Sequence, residues 1–590
     1  MLDGKRGRPR LKGLCEVFGI DLGTTNSCIA ALKDGVPHIV PVGGCGIVPS
    51  VVSMDGCSML VGRKARNRAS AFPEQSVRSI KRLMGSSETC LLGRKEYSPE
   101  DISSIILRYL CDEAERIEGV KIERVVITVP AYFNDAQRRA TREAGNRAGL
   151  KVERIINEPT AAALLYDQIL PGEKNQKKKA QERFILVYDL GGGTFDVTVL
   201  RAGEIVEVLS STGDTRLGGD DFDNRIVCRL LETIRAESNV NLEGHLPSLA
   251  RLSAAAETAK IDLSSKAYTW IRENHLPTPY GSTCSVEMEL FREEFESMTV
   301  PLLKRTRELV LDALSEASLK PKQIDNVLLV GGMTRMPAVV ELVADIFGDA
   351  PLPAIDPDRS VACGAAIQGA LITGSHVDQI LIDVTPHTLS VEALTGNNPD
   401  DLHPACVPII PRNTQLPVMR ARTFSTLQKN QRIAEVKIFQ GESPIPEENT
   451  LLGATTLSLA KAPGGSPVII EYAYDLDGIV RISAEHKGYS RKKEIRIDSR
   501  DPQVFIDLDT DGFTGEENDD SGEGGAPLIN FVTARARALL ERMPKGAHYD
   551  ELSSLLSRYE EALSNESEDL ENIEDQLLCI MEKISESGWN

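Results

Sequence analysis

Two segments of the chain repeat one pattern, and this duplication constrains the fold more than any other feature. GIDLGTTNS (19–27) and YDLGGGTFD (188–196) each place an aspartate at the end of an apolar strand, followed by leucine and a Gly/Thr turn. Glycine lets backbone N–H groups approach a polyphosphate, and threonine hydroxyls add donors. An aspartate at a strand end can hold Mg²⁺, directly or through water. Two such turns facing each other would clamp a nucleotide, and GGMTR (331–335) supplies a third glycine turn.

The distribution of residue types along the rest of the chain predicts several domains. Strands and helical stretches alternate from about residue 16 to residue 373, which is typical of an α/β fold. Short alternating strands with frequent Pro and Gly follow, and they predict a compact all-β domain up to about residue 500. Residues 507–527 are acidic and Gly-rich and lack Lys and Arg, as in a solvated linker. Helical periodicity returns after residue 528.

Known nucleotide-binding signatures narrow the choice of fold. The chain has no GxxxxGK[ST] sequence, so a P-loop is excluded, and the glycines at 191–193 do not form a GxGxxG fingerprint. The eight histidines fall in none of the motifs, so a histidine base is not indicated. A nucleotide site built from Asp-Leu-Gly turns therefore remains.

Composition excludes other classes. With 590 residues, 41% hydrophobic and 26% charged, the chain is neither wholly disordered, fibrous nor embedded in a membrane. The net charge of -20 disfavours nucleic acid as a partner, because phosphate binding needs clustered Lys and Arg.

The 11 cysteines are scattered without a CxxC pair, which suits a reducing compartment. No secretory signal and no apolar run of ~18 residues is present, so we expect a cytoplasmic protein without membrane contact.

A series of longer motifs follows the duplicated turns in a characteristic order. They are GIDLGTTNS, IKRLMG (80–85), VITVPAYFNDAQR (126–138), INEPTAAAL (156–164), YDLGGGTFDVTVL (188–200), LGGDDFD (217–223), LVGGMTRMP (329–337) and GAAIQGAL (364–371). Together they resemble the heat-shock protein 70 (DnaK-type) chaperone family. The short connection between Gly85 and Tyr97 and the short C-terminal region resemble a specialised bacterial branch of that family.

The resemblance implies an α/β actin-like (ribonuclease H-like) two-lobed ATPase domain, then an all-β sandwich that binds peptides, then a short α-helical lid. On this chain the implied boundaries are a basic flexible tail at 1–15, the ATPase domain at 16–376, an interdomain linker at 377–386, the sandwich at 387–506, the acidic linker at 507–527 and the lid at 528–590.

The resemblance also assigns residues to the reaction. It implies Asp21 and Asp189 as the residues that order Mg²⁺, with K⁺ as a further candidate ion. Lys81 would lie against the γ-phosphate, and Glu158 and Asp196 would complete the water and metal network. The implied catalytic residues are Lys81, Glu158, Asp189, Thr194 and Asp196. Phosphoryl transfer depends on such positioning and electrostatics rather than on covalent chemistry.

Binding positions follow in the same way. For the nucleotide, ATP or ADP, they are Gly23, Thr24, Thr25, Asn26, Gly191, Gly192, Gly193, Thr194, Glu257, Lys260, Ser264, Gly331, Gly332, Arg335 and Asp358. For the client peptide they are Val391, Ala393, Leu394, Phe424, Leu427, Ala434, Val436 and Ile479, with Leu394 and Leu427 forming an arch. For the interdomain switch they are Pro130, Arg138, Arg154, Ile380, Leu381, Ile382 and Asp383, Arg154 being the implied contact for a J-domain co-chaperone.

The function implied is an ATP-dependent chaperone whose ATP hydrolysis switches its affinity for extended hydrophobic segments of unfolded or nascent clients. A J-domain co-chaperone is the implied partner, and a nucleotide-exchange factor is a candidate. The missing segment before Tyr97 predicts fast intrinsic nucleotide exchange. Two alternatives stay open at this point: a small-molecule kinase of the same ATPase superfamily, and a non-catalytic actin-like or holdase protein.

Overall fold

The computed structural model describes residues 14–169, 182–203, 205–348, 356–374, 380–396, 402–489, 493–495, 529–530 and 547–564, with isolated positions between 536 and 581. Most of the predicted basic tail and the whole acidic linker lie outside these residues. The chain divides into two compact units, Met1–Pro386 and His387–Asn590.

The first unit mixes strands and helices. Its strands are β1 (Val17–Leu22), β2 (Asn26–Lys33), β3 (Val36–Ile39), β4 (Val48–Pro49), β5 (Val52–Asp55), β6 (Ser58–Val61), β7 (Ser76–Val77), β8 (Cys90–Leu92), β9 (Lys95–Tyr97), β10 (Arg124–Val129), β11 (Lys151–Asn157), β12 (Arg183–Leu190), β13 (Phe195–Ala202), β14 (Ile205–Asp214), β15 (Tyr268–Pro277), β16 (Thr283–Phe291), β17 (Asn326–Val330) and β18 (Ile380–Ile382). Its helices are α1 (Arg63–Ala69), α2 (Pro99–Glu118), α3 (Asp135–Arg147), α4 (Glu158–Ile169), α5 (Gly219–Ser238), α6 (Leu246–Leu263), α7 (Arg292–Glu316), α8 (Pro337–Phe347) and α9 (Ser360–Ile372).

Two sheets of the first unit repeat one arrangement. In the first sheet, β1 pairs antiparallel with β2, which pairs antiparallel with β3, while β10 and then β11 join β1 in parallel. In the second sheet, β12, β13 and β14 form the antiparallel meander, and β17 joins β12 in parallel. The sequence duplication is therefore a structural duplication, in which the Asp-Leu of each motif ends the first strand and the glycine begins the turn to the second strand.

Helices α4 and α9 lie between these two sheets. Their small side chains, such as Ala161 on α4 and Ala365 on α9, pack with Val17 of β1 and Val187 of β12 in one buried cluster. Small residues are required here because two helix backbones approach each other and both sheets. The connection after Gly85 is a short hairpin of β8 and β9.

The second unit contains β19 (Leu389–Thr395), β20 (His403–Ile410), β21 (Val418–Ser425), β22 (Ile433–Gln440), β23 (Thr450–Ser458), β24 (Pro467–Tyr474), β25 (Val480–His486), β26 (Lys493–Ile495) and β27 (Ile529–Asn530), followed by α10 (Ala547–Ser564). One layer holds β23, β22, β19 and β20, and the other holds β21, β24, β25 and β26. Both layers bury their alternate apolar residues in one core. The Tyr472 hydroxyl crosses that core and donates to the carbonyl of Ser390 at 3.0 Å.

The lid region has a small core of its own. Leu552, Leu556 and Tyr559 of α10 bury their side chains with Ile573 and Leu577. Among the described residues, no helix has both the length and the apolar character needed to cross a membrane.

The contact between α9 and α4 generates a prediction about stability. A Cβ atom at Gly364 would lie 1.8 Å from the carbonyl oxygen of Ala161, so the two helix backbones would have to separate. We expect Gly364→Ala to lower the free energy of unfolding of the first unit by more than about 2 kcal/mol. Gly203→Ala is the matched control, because its nearest neighbour would be the Glu182 side chain at 3.7 Å. Calorimetric unfolding of both variants measures the difference, and equal transitions would contradict the prediction.

Candidate nucleotide site

The structure brings the two duplicated turns into contact. Asp21 and Asp189 are each the penultimate residue of the first strand of their sheet. A Cβ atom at Gly192 would lie 1.9 Å from the Thr25 hydroxyl oxygen, and one at Gly193 would lie 2.7 Å from the Thr24 methyl group. Glycine is thus required in one turn because the threonines of the other turn occupy the space. The turns form the two opposing faces of one cleft.

The third glycine turn closes the same site. Gly331 follows β17 with a φ of 82°, and a Cβ atom there would lie 2.2 Å from the carbonyl oxygen of Leu190. At Gly332 it would lie 3.2 Å from Asp358 Oδ1. Helix α5 begins beside the second turn, where the Gly219 and Asp220 N–H groups donate to the carbonyls of Gly191 and Gly192. Three glycine turns therefore converge, and such turns allow backbone N–H groups to approach a phosphate closely.

Four carboxylates surround one lysine beneath these turns. Lys81 Nζ lies 2.5 Å from Glu158 Oε1, and both side chains are buried. Burial, with the charge of Glu158, raises the pKa of Asp21 to about 7. Burial likewise raises the pKa of Asp196 to about 7 and holds the pKa of Asp189 well above its usual range. Burial alone would lower the pKa of Lys81, but Glu158 and Asp21 outweigh it and raise that pKa.

The carboxylates are held in place from several elements. The Thr128 hydroxyl on β10 donates to Asp21 at 3.0 Å, and the Tyr132 backbone N–H donates to Asp196 Oδ1 at 2.9 Å. The second oxygens of Asp189 and Asp196 are buried, and no hydrogen-bond partner for them occurs in the described part of the chain. Two buried acceptor atoms of the site therefore have unused bonding capacity.

These features fit Mg²⁺. The ion prefers oxygen ligands and keeps most of its waters, so that it typically takes one or two carboxylates plus substrate phosphates. Within the described residues, no cluster of three or more His, Cys, Asp or Glu forms a ready-made metal cage. A hydrated divalent cation would bind to the unused oxygens of Asp189 and Asp196 and offset the charge of these carboxylates, whose pKa values are raised first by burial and then by the charge of Glu158.

The residues predicted for the nucleoside line the other side of the cleft. Glu257 and Lys260 are on α6, and Ser264 follows it. Lys260 donates to the carbonyl of Gly219 at 3.0 Å and pairs with Asp223 at 2.9 Å. Arg335 pairs with Asp358 at 2.8 Å. The charged members of the predicted set, Glu257, Lys260, Arg335 and Asp358, are thus engaged with protein partners.

Several residues of the cleft were not found by sequence reasoning. Glu257 pairs with Arg66 at 2.8 Å and with Arg78 at 2.9 Å, two arginines from the opposite lobe. Next to Lys81, Arg82 pairs with Asp221 at 2.7 Å. Isolated surface-type arginines carry no local signal of such a partner, because the partners are far away in the sequence. The available signal was in LGGDDFD, whose two adjacent acids follow a glycine turn.

Two of the predicted switch residues, Arg138 and Asp383, are joined by hydrogen bonds through Asn157. Pro130 follows β10, and Arg138 on α3 donates to the carbonyls of Ala131 and Phe133 and to Asn157 at 2.6 Å. Asn157 in turn donates to Asp383 at 2.8 Å. Residues Ile380, Leu381 and Ile382 form β18, which pairs in parallel with Ile205–Glu207 of β14 at the sheet edge. Arg154 lies on β11, apart from this path.

The predicted client positions divide into two groups. Leu394, Leu427 and Ile479 are half-buried. The other five are fully buried in the core shared by the two layers, which is by itself a sufficient reason for their apolar character; they are Val391, Ala393, Phe424, Ala434 and Val436. Alternation along a strand does not tell such core positions from groove positions.

Comparison with known proteins agrees with this geometry. The Hsp70 protein family model matches residues 17–510. The chain is 43% identical over 495 residues to the chaperone protein DnaK of Thermotoga petrophila, covering 82% of this chain and 80% of that protein. It is 42% identical to the DnaK proteins of Mycoplasma mobile and Ureaplasma urealyticum serovar 10, with 90% and 95% of this chain covered and 86% and 90% of the relatives.

The chain belongs to the Hsp70 family. The match spans both units, which confirms the predicted class of a two-lobed actin-like ATPase followed by an all-β unit and a helical lid. An Hsp70 chain is an ATP-dependent chaperone for unfolded proteins, with ATPase activity and a site for ATP or ADP with Mg²⁺. The kinase and the non-catalytic alternatives are set aside, because the family match extends beyond the ATPase unit.

The buried Lys81–Glu158 pair generates a prediction about hydrolysis. Lys81 is the cation that lies closest to the cluster of carboxylates, and we expect its charge to stabilise the transferring phosphoryl group. Lys81→Met should lower the single-turnover rate of ATP hydrolysis by about 10²–10³-fold, the usual cost of removing one preorganised electrostatic contact. Lys64→Met, at an exposed lysine of α1, is the matched control. A Lys81→Met rate equal to that of the control would contradict the assignment.

Proposed function

We propose that ATP hydrolysis at this cleft switches the affinity of the second unit for extended hydrophobic segments of unfolded or nascent clients, and that the protein works in the cytoplasm. A J-domain co-chaperone, with Arg154 as one of its contacts, is the proposed stimulating partner. A nucleotide-exchange factor remains a candidate partner, and K⁺ remains a candidate second ion.

The geometry of the cleft supports a separate role for each of these residues. Asp21 and Asp189 would hold Mg²⁺ and its waters, and the ion would neutralise phosphate charge and orient the nucleotide. The hydroxyls of Thr24, Thr25 and Thr194 would donate to phosphate oxygens. Glu158 holds Lys81 in place by their buried ion pair. Asp196, fixed by the Tyr132 N–H, offers its second oxygen to a water molecule.

The observation that carries the proposed coupling is the path from Asp196 to Asp383. Asp196 accepts from Tyr132, whose two neighbours, Ala131 and Phe133, present their carbonyls to Arg138. Arg138 and Asp383 meet at the same Asn157 side chain. A displacement of the loop at 131–133 on loss of phosphate would therefore change the hydrogen bonds that hold the linker. Asp383 is half-buried, and its release would remove the hydrogen bond that its carboxylate accepts from Asn157.

The edge pairing of β18 supports a linker that alternates between a paired and a released state. When β18 is paired, its backbone groups on one side bond to β14, and on release those groups would bond to water. The Thr160 hydroxyl adds a second donor to Asp383, at 3.3 Å. A switch of this kind needs a small number of interactions that form and break together.

A direct test of the proposed function is the response of the ATPase to a client. We expect an extended apolar peptide to raise the steady-state ATPase rate about fivefold or more, a usual size for coupling between two sites. The same peptide with its apolar residues replaced by serine is the control. Absence of any stimulation, with or without a J-domain protein, would refute the proposed coupling.

A second prediction tests the path itself. Asn157→Ala removes the acceptor of Arg138 and the donor of Asp383, so ATP binding should no longer accelerate peptide release. Asn146→Ala on α3 is the matched control, because Asn146 is exposed. Stopped-flow release of a labelled peptide on addition of ATP measures the effect, and a retained acceleration of more than about fivefold would count against the path.

A further inference from the structure

The two layers of the second unit are joined by one very short strand. Within the described residues, β19 and β21 do not pair with each other, and β27 lies between them. Its backbone runs parallel to β19, with Ile529 opposite Leu394. It runs antiparallel to β21, with Ile529 opposite Ser425 and Asn530 opposite Phe424. The ends of the two layers therefore leave a gap one strand wide, and a distant segment of the same chain fills it.

This gap coincides with the proposed client groove. Leu394 and Phe424, which face β27 in the register, are both among the positions assigned to client binding. Leu427, the other predicted arch residue, follows two positions after the end of β21. An extended peptide that joins a sheet edge obtains its affinity from backbone hydrogen bonds to both neighbours, and β27 uses these same edges.

We propose that the segment around Ile529–Asn530 is an intramolecular ligand of the client groove and competes with hydrophobic clients for it. The proposal rests on the proposed function, because it takes the groove between β19 and β21 as the client site. It adds an occupant, a direction and a register: the bound segment runs parallel to β19. A client must displace this segment before it can pair with both edges.

The composition of the segment matches the class of client. No charged residue occurs between Glu523 and Arg535, and this interval contains Leu528, Ile529, Phe531 and Val532. The residues before it are acidic and Gly-rich, as the sequence 507–523 shows. An apolar stretch that follows a strongly polar one is the kind of segment that an apolar groove selects from a chain.

The competition can be given a size. Two binding partners that belong to one chain can meet at an effective concentration in the millimolar range. If its intrinsic dissociation constant is about 0.1 mM, the segment occupies the groove about nine-tenths of the time and raises the apparent Kd of a client about tenfold. The cost of closing the tether grows only slowly with its length, so the long connection from β26 is no obstacle.

The experiment compares two single variants of the full chain in the presence of ADP. Ile529→Asp places a charge in the tethered segment, whereas Leu476→Asp places the same charge on an exposed leucine in the turn between β24 and β25. Binding of a fluorescent peptide with a run of leucines is followed by anisotropy. We expect Ile529→Asp to lower the apparent Kd about tenfold and to speed association, and Leu476→Asp to behave as wild type.

A second measurement is independent of the folding of that variant. A synthetic peptide with the sequence 524–534 should displace the fluorescent peptide from the Leu476→Asp protein, and the same peptide with aspartate at position 529 should not. If all proteins bind the fluorescent peptide with one Kd and the synthetic peptide does not compete, the intramolecular ligand is refuted and the client groove stands. If no protein binds the fluorescent peptide, the proposed function itself fails, and this proposal fails with it.

Discussion

The concentration of negative charge around Lys81 is the constraint on which the ATPase unit depends. Asp21, Glu158, Asp189 and Asp196 are all removed from most of their solvent, and one lysine amine offsets them. Burial first, and then the charge of Glu158, raises the pKa values of Asp21, Asp189 and Asp196, so that placing these groups together is unfavourable. The surrounding fold must therefore hold them against their repulsion. A nucleotide-bound cation would relieve that repulsion, so the site is more favourable when loaded than when empty.

The hydrogen-bonded strands of the duplicated sheets hold these carboxylates in place. Each aspartate lies at the end of a strand that is bonded on both sides, so its backbone cannot retreat from the cleft. The close packing of glycine in one turn against threonine in the other fixes the distance between the two halves. The arginines that pair with Glu257 from the opposite lobe add attraction across the cleft. This attraction opposes opening of the cleft. The short connection after Gly85 favours fast intrinsic exchange of the nucleotide, which stays a prediction.

Much of this architecture could be predicted from sequence, and the reasons are local. The turns after Asp21 and Asp189 were readable because aspartate, glycine and threonine have few other reasons to recur in that order. The order of an α/β region and then an all-β region was also visible in the spacing of apolar residues. The family resemblance assigned roles to Lys81 and Glu158. Without their motifs, Lys81 is typical of a surface lysine and Glu158 of a residue that begins a helix.

Other features depend on contacts between residues far apart in the chain, and no local pattern reports them. The partners of Glu257, the role of Asn157 between Arg138 and Asp383, and the pairing of β27 are of this kind. The prediction of the client-binding positions was limited by a different ambiguity. Val391 and Ala393 on β19 alternate along the strand as groove residues would, and so do Ala434 and Val436 on β22, but the core of two facing layers imposes the same alternation.

The pairing of β27 has a consequence for the order of events during synthesis. The edges of β19 and β21 leave the ribosome well before residue 529 does, and at about 5–20 residues per second the interval is several seconds. During that time the groove would be complete but without its own ligand. Until residue 529 is made, the new chaperone would bind other chains without competition from its own segment.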